Sequence, residues 1–180
     1  MTVAGVVLVS GDEIESSRLD GTTLIDHAVS ALRRSGVVDV VSVLSSESLV
    51  SAVSAVSSGS FVDGVEVVVL HDPHRPLAPA ALVTAVVAAV RAGADVAVPV
   101  VGVTETVKEV DADGRIVRTV PRDELVQLQY PRAVRPSALR PDGSVAPGAR
   151  TVTVTGAADA FPVRNRLDLE LAAAVLAARS

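Results

Sequence analysis

Apolar and polar positions fall in blocks along this chain, and the blocks carry two different periods. Val3 to Val9 is a continuous apolar run of strand length, the pattern of a strand buried on both faces. Ser10 to Gly21 is polar and loop-like. Beyond it, Ile25, Ala28, Val29 and Leu32 recur at helical spacing. This predicts a helix over Thr23 to Arg34, with Thr22 as its cap and Gly36 as its stop. Val37 to Leu44 predicts a second strand. Leu49, Val50, Val53 and Val56 predict a helix opened by Ser45 or Ser46. The serines at 45, 48, 51, 54 and 57 repeat every three residues, as phosphate contacts would or, more simply, as a solvated face of small residues. Val65 to Leu70 predicts a third strand. Pro79 suits the first turn of a helix running to about Ala92. Gly93 ends it, and Asp95 to Val101 predicts a fourth strand.

The rhythm then changes. Glu105 to Val110 and Arg115 to Val120 are short alternating runs around Asp111-Ala112-Asp113-Gly114, which predicts a β-hairpin. Residues 121 to 150 hold five prolines without a clear period and are expected to be mostly irregular. Thr151 to Thr155 predicts a short strand and Leu167 to Arg179 a final amphipathic helix. Strands alternating with helices predict an α/β fold, a mostly parallel sheet with helices on both faces. No repeat or second domain is visible, so residues 1–180 are expected to form one domain with the hairpin at 104–120 as an excursion. Ligands in such folds bind beyond the carboxyl ends of the strands. The loops of interest are therefore 10–21, 71–78 and 102–108.

Composition narrows the chemistry. The chain has 180 residues, 49% apolar, but aromatics are only 2%, so Val, Ala and Leu must build the core. Net charge is −5, which argues against a broad basic face for nucleic acid, and aromatic platforms for single strands are lacking. Cysteine is absent, which excludes disulfides, thiolate zinc sites and a cysteine nucleophile. No apolar run reaches the roughly 18 residues of a membrane span. Met1 leads straight into a strand-like run, so a signal peptide is not expected and a cytoplasmic location is. Fifteen cations are Arg and one, Lys108, is Lys.

The first loop leads from strand to helix, where a phosphate would sit, yet Gly11 is followed by Asp12, Glu13 and Glu15. Phosphate cradles need close backbone approach and free N–H groups. Three carboxylates oppose a triphosphate, and the loop reads as solvated and acidic, with Arg18 its only cation. In the third loop, Asp72 offers hard oxygens to Mg²⁺ and Arg75 can grip a phosphate bidentately. Alternatively, Asp72 caps the loop or pairs with Arg75 and only holds the loop. His71 and His74 read as structural histidines rather than metal ligands. Thr106, Lys108, Arg118 and Arg122 make the hairpin region cation-rich, as a phosphate site or a solvated strand face.

Three segments carry a family resemblance: VVVLHDPHRPL (67–77), VPVVGVTETVKEVDADGRIVRTVPRDEL (98–125) and DAFPVRNRLDLELA (159–172). Together with Gly21 to Ala28 at the first helix, they resemble 2-C-methyl-D-erythritol 4-phosphate cytidylyltransferases of the non-mevalonate isoprenoid pathway, over nearly the whole chain. The resemblance implies a Rossmann-like nucleotidyltransferase sheet and a protruding hairpin arm that interlocks two subunits, hence a homodimer through 104–120. It also implies attack of a sugar-alcohol phosphate on the α-phosphate of CTP, with Mg²⁺, releasing pyrophosphate. By position, Asp72 matches the metal- and substrate-side aspartate and Arg75 the arginine beside it. Thr106 and Arg122 match the arm residues at the substrate phosphate.

The nucleotide side departs from the family pattern. The glycine-rich A-A-G-x-G-x-R loop reads Val9-Ser10-Gly11-Asp12-Glu13-Ile14, leaving Ser10 and Gly11 as its remaining nucleotide-binding candidates. A lysine is missing between Ser16 and Gly21, where Arg18 is the only stand-in for a catalytic cation. The lysine of an Asn-x-Lys-x-Thr segment falls on Pro162, and Thr-Pro-Gln reads Tyr130-Pro131-Arg132. The Gly-Gly and Ser segment is deleted around Ser57 to Gly64, and the Thr-Asp-Asp helix is gone near 141–150. Losing one strong transition-state stabiliser costs about 10²–10³ in rate. The expectation is a diverged, catalytically impaired paralogue that binds a sugar phosphate or acts as a scaffold. The alternative is an active CTP-dependent enzyme with a rewired loop.

Overall fold

The computed structural model describes residues 2–45, 64–140 and 144–179. In chain order its elements are β1 (Thr2–Val9), a 3-10 turn (Glu13–Ser16), β2 (Arg18–Leu19), β3 (Thr22–Thr23), α1 (Leu24–Arg34), β4 (Val40–Ser45) and β5 (Val65–His71). There follow α2 (Ala80–Arg91), β6 (Val96–Gly102), β7 (Val107–Val110), β8 (Ile116–Val120), β9 (Val126–Leu128), β10 (Arg132–Val134), β11 (Thr151–Thr155) and α3 (Arg166–Ala178). The helix expected from Ser45 or Ser46 lies outside the described residues.

The valine runs lie at the centre of a seven-stranded sheet of order β11-β6-β10-β5-β1-β4, with β9 also paired to β6. β4, β1, β5, β6 and β11 run parallel, while β9 and β10 are antiparallel to their neighbours. The sheet is mixed and mostly parallel, as the alternating pattern implied. On one face Val3, Val7, Val67 and Val69 pack against Ala28 and Leu32 of α1 and Val83, Val86, Val87 and Val90 of α2. On the other, Val6, Val68, Leu70 and Val98 meet Ala138 and Leu139. Each buried Val or Leu contributes about 1.5–3 kcal/mol, so small aliphatic residues suffice where aromatics are scarce. α3 packs through Ala172 on Leu19, Leu24, Leu77 and Val163 at the ligand-side edge.

One expectation is corrected and one is sharpened. The first helix is capped by Thr23, not Thr22: the Thr23 hydroxyl accepts the Asp26 N–H at 3.1 Å. Thr22 is instead paired with Leu19 in the β2–β3 ribbon. The stretch 121–150 is mostly irregular, as expected, but two three-residue strands, β9 and β10, lie within it. β10 sits between β5 and β6, with Ala133 opposite both Val69 and Ala97. A three-residue strand between Pro131 and Pro136 is too short to show a period. The hairpin forms as expected, and among the described residues β7 and β8 pair only with each other.

Buried Gln129 ties this region together. Its amide donates to the Ala157 carbonyl at 2.8 Å and accepts the Ala157 N–H at 3.0 Å. Next to it, the Gly156 N–H reaches the Val100 carbonyl at 2.8 Å. A Cβ on Gly156 would lie 2.8 Å from that oxygen and collide with Gln129 Oε1. Gly156→Ala should therefore cost about 2–4 kcal/mol through overpacking and loss of the amide pair. Urea unfolding of the two proteins measures it, and an unchanged midpoint would contradict this account of the glycine.

Candidate functional site

The loop after β1 folds around its own carboxylate. Glu15 is 2% exposed. It accepts the Ser10 N–H at 2.8 Å, the Ser10 hydroxyl at 3.0 Å and the Gly11 N–H at 3.1 Å. Gly11 has φ of 83°, a backbone state that glycine adopts without strain. Asp12 caps the 3-10 turn by accepting the Ile14 N–H at 3.1 Å, which brings Glu15 round beneath the strand end. The expectation of a solvated acidic loop thus holds for Asp12 and Glu13 and is corrected for Glu15. The two N–H groups on the nucleotide-binding candidates Ser10 and Gly11 already donate to an internal anion. Arg18 donates to the Gly21 carbonyl at 2.6 Å, within its own ribbon.

The loop after β5 faces this one. His71 is fully buried, and its Nδ1 accepts the Asp72 N–H at 2.9 Å, while Nε2 has no hydrogen-bond partner. Burial lowers its pKa to about 4, with Asp72 opposing and Arg75 adding to the shift. Asp72 Oδ1 accepts the His74 N–H at 2.9 Å and lies 2.9 Å from His74 Nδ1. The His74 ring also lies 3.8 Å from Asp12 and 3.9 Å from Glu15, so it joins the two loops. Asp72 therefore pairs with His74 rather than with the Arg75 side chain. Arg75 is 6% exposed and turns inward, donating to the Ala160 carbonyl and, at 3.4 Å, to the Leu128 carbonyl. Burial lowers its pKa, Asp72 opposes this, and Arg164 and Arg132 lower it further.

Thr106 and Arg122 come together on the arm, where they help line a hollow of about 390 Å³. Arg122 donates to the Thr104 carbonyl at 3.1 Å. Lys108 and Arg118 are engaged across the hairpin, with Thr119 at 2.7 Å and Glu109 at 2.5 Å. Among the described residues, no hydrogen bond or ion pair joins the arm pair to Asp72 and Arg75. Nor is any group of three or more His, Asp or Glu side chains arranged to hold a metal ion. Asp72 alone fits Mg²⁺ only where substrate phosphates complete the shell. Sequence reasoning missed Glu15 as an internal ligand, Gln129 as a tie, and Arg132 and Arg164 as neighbours of Arg75. Only the spacing of Glu15 from Asp12, three residues or one 3-10 turn, could have signalled the first.

Comparison with known proteins matches residues 45–146 to the family model described as IspD: 2-C-methyl-D-erythritol 4-phosphate cytidylyltransferase. A protein of that name from Frankia casuarinae is 38% identical over 122 residues, covering 61% of this chain and 46% of that protein. One from Saccharopolyspora erythraea is 32% identical over 122 residues, covering 61% and 54%. The chain spans about half the length of these curated relatives. Among solved structures, the 2-C-methyl-D-erythritol 4-phosphate cytidylyltransferase of Thermus thermophilus aligns with a TM-score of 0.76 at 23% identity, over 100% of both chains. The 4-diphosphocytidyl-2C-methyl-D-erythritol synthase of Anaerococcus prevotii aligns with a TM-score of 0.78 at 16% identity, over 98% of both. These structural likenesses show the fold. No helix among the described residues is long and apolar enough to cross a membrane.

The lowered pKa of His71 makes stability depend on pH. Its neutral form is favoured in the fold, so its contribution is complete above the unfolded pKa of 6.5 and is lost as pH falls towards about 4. The loss attributable to this one group is roughly 3 kcal/mol. His71→Gln should flatten the decline in urea-unfolding free energy between pH 7 and pH 4. Parallel pH profiles for the two proteins would show that His71 is not the group responsible.

Proposed function

Because this chain belongs to the 2-C-methyl-D-erythritol 4-phosphate cytidylyltransferase family, we propose that it is a member closed to nucleotide, without efficient CTP-dependent transfer. It works instead as a binding or scaffolding protein that keeps the sugar-phosphate side. The observation that carries this reading is Glu15 in the place of a bound phosphate, held by both backbone donors and the Ser10 hydroxyl. A triphosphate would have to expel that carboxylate and break three charge-assisted hydrogen bonds, each worth about 1.5–3 kcal/mol. It would also approach Asp12 and Glu13. Like charges about 4 Å apart repel by roughly 1 kcal/mol in water and about 4 kcal/mol near a protein surface. The cations that would offset this are lacking, since Lys108 is on the arm and Arg18 is held by Gly21.

Asp72, Arg75, Thr106 and Arg122 are the residues through which the sugar-phosphate side would act. The arm would act between two copies of the chain. Val110, Ile116 and Val117 on it are 56%, 67% and 59% exposed, and a lone two-stranded ribbon is only marginally stable in water. A second copy that covers these residues relieves both costs, which supports a homodimer through 104–120. A second reading is favoured by Asp72, whose Oδ2 accepts no hydrogen bond among the described residues and stays available to Mg²⁺. It is an active cytidylyltransferase making 4-diphosphocytidyl-2-C-methyl-D-erythritol through a rewired loop.

Calorimetric titration with CTP and Mg²⁺ should give no saturable heat below about 1 mM, and mixtures of CTP with 2-C-methyl-D-erythritol 4-phosphate should release no pyrophosphate. Pyrophosphate release that disappears in Asp72→Ala would establish the active reading instead. Light scattering should show a dimer that Ile116→Asp with Val117→Asp converts to monomer. A monomeric parent protein would remove the arm from the proposal.

A further inference from the structure

β11 ends the sheet on the side away from β4, and among the described residues β6 is its one partner. Its backbone orientation is fixed at both ends. The Arg150 carbonyl accepts the Asp95 N–H at 2.9 Å, and the Gly156 N–H donates to the Val100 carbonyl at 2.8 Å. In a parallel pair, alternate residues turn both of their backbone groups to the same side. Residues 150, 152, 154 and 156 therefore face β6, and Thr151, Thr153 and Thr155 face outward. The outward N–H and C=O groups have no partner among the described residues. Val152 and Val154 pack on the helix-covered face of the sheet, which leaves the three threonine side chains exposed on the other.

An open edge of this kind is a template for another strand, and edges are ordinarily blunted by a charge, a proline or a bulge. The arm follows that rule, since Lys108, Glu109 and Arg118 lie on β7 and β8. β11 does not: it holds only threonine and valine, and its register with β6 is unbroken. Its sequence also reads the same from either end. A second copy set antiparallel about Thr153 matches Thr153 with Thr153, Thr151 with Thr155 and Val152 with Val154. Every outward N–H then meets an outward C=O, because the threonine positions become the hydrogen-bonded pairs. A slip of two residues leaves one threonine outside the ladder. Like β-branched pairs also suit both faces of such a ladder. The flanking charges agree. Each Arg150 stands opposite Gly156 of the other copy, and the two Arg150 positions lie about 20 Å apart along the strands, beyond the Debye length of ~8 Å at physiological salt.

We propose that the β11 edge pairs with the β11 edge of a second copy of this chain, antiparallel about Thr153, so that the sheets of two molecules become continuous. The contact is separate from the arm and independent of any ligand. It is weak on its own, since one strand pair buries less than the roughly 1,200 Å² of a stable interface. It therefore leaves the dilute protein as the arm determines it and joins molecules at high protein concentration.

The chain has no cysteine, so a single introduced one reports the register. In a glutathione redox buffer at about 0.5 mM protein, Thr153→Cys should form a disulfide-linked dimer. It should do so about tenfold or more faster than Thr84→Cys, an exposed site on α2 that measures random collision. Thr151→Cys and Thr155→Cys should each link no faster than Thr84→Cys when alone, and should link rapidly when mixed. The Thr153→Cys link should persist when Ile116→Asp and Val117→Asp are added, which separates the edge from the arm. Equal rates at positions 153 and 84, a Thr151→Cys protein that links alone as fast as the mixture, or loss of the Thr153→Cys link with the arm changes overturns the proposal. Without cysteine, sedimentation velocity should show mass rising with concentration in the parent protein and not in Thr153→Pro, whose missing N–H faces outward and is unused by the fold. Thr153→Lys should act likewise and answers the case in which the proline variant fails to fold. Parent-like association of folded Thr153→Lys also overturns the pairing.

Discussion

The arrangement of this molecule's ligand-facing end depends on how the N–H groups at the end of β1 are satisfied. An inner strand of the sheet, β1, delivers Ser10 and Gly11 to its carboxyl end, where their backbone donors converge and a well-placed acceptor gains charge-assisted hydrogen bonds. A ligand phosphate is one solution. A side chain from the same loop is another, and it is always present at high effective concentration. Glu15 supplies it. The consequence spreads outward: the 3-10 turn forms to bring Glu15 round, Asp12 caps that turn, and both carboxylates then face His74. One acidic side chain thereby makes the end of β1 a self-contained structural joint between two loops.

Once that joint exists, the charge pattern around it makes physical sense. Acidic groups gather at the β1 side, where Asp12, Glu13 and Glu15 follow Gly11. Cationic groups gather beyond β5 and β10, where Arg75 is sunk among backbone carbonyls and its neighbours Arg132 and Arg164 have no carboxylate within 4.0 Å among the described residues. Desolvation makes such a guanidinium costly to leave uncompensated, yet electrostatically strong toward any anion that reaches it. A chain with one lysine among its cations has built its positive field from planar groups that favour oxyanions with defined orientation.

Much of the architecture was legible in the sequence, because the parallel strands are long apolar runs and the helices between them keep a clear period. The hairpin was legible for the complementary reason, with alternation on both sides of a turn ending in Gly114. Asp72 and Arg75 were legible as residues placed by a buried strand, but the partner of Asp72 was not. Its pairing with His74 depends on the loop's tight turn, whereas i,i+3 spacing to Arg75 suggested a salt bridge. Glu15 could be counted as a charge but not placed, since nothing in a run of carboxylates says which one folds under. Thr22 and Thr23 are chemically equivalent caps, and only the ribbon that occupies Thr22 decides between them. β10 was illegible because three residues carry no periodicity; its place is fixed by the edges of β5 and β6, which belong to other parts of the chain.

That short strand has a consequence for how the protein comes into being. β5 and β6 do not pair with each other; Ala133 stands between Val69 and Ala97, and Val134 between Val68 and Val96. Until residues 132–134 arrive, the sheet exists as two separate pieces, one around β1 and β5 and one led by β6. A chain emerging amino-end first can assemble each piece early but must wait for β10 before its interior is closed to water. Contacts so distant in sequence are slow to form. Everything inserted between β6 and β10, the arm included, therefore lengthens the interval during which two apolar edges stand open.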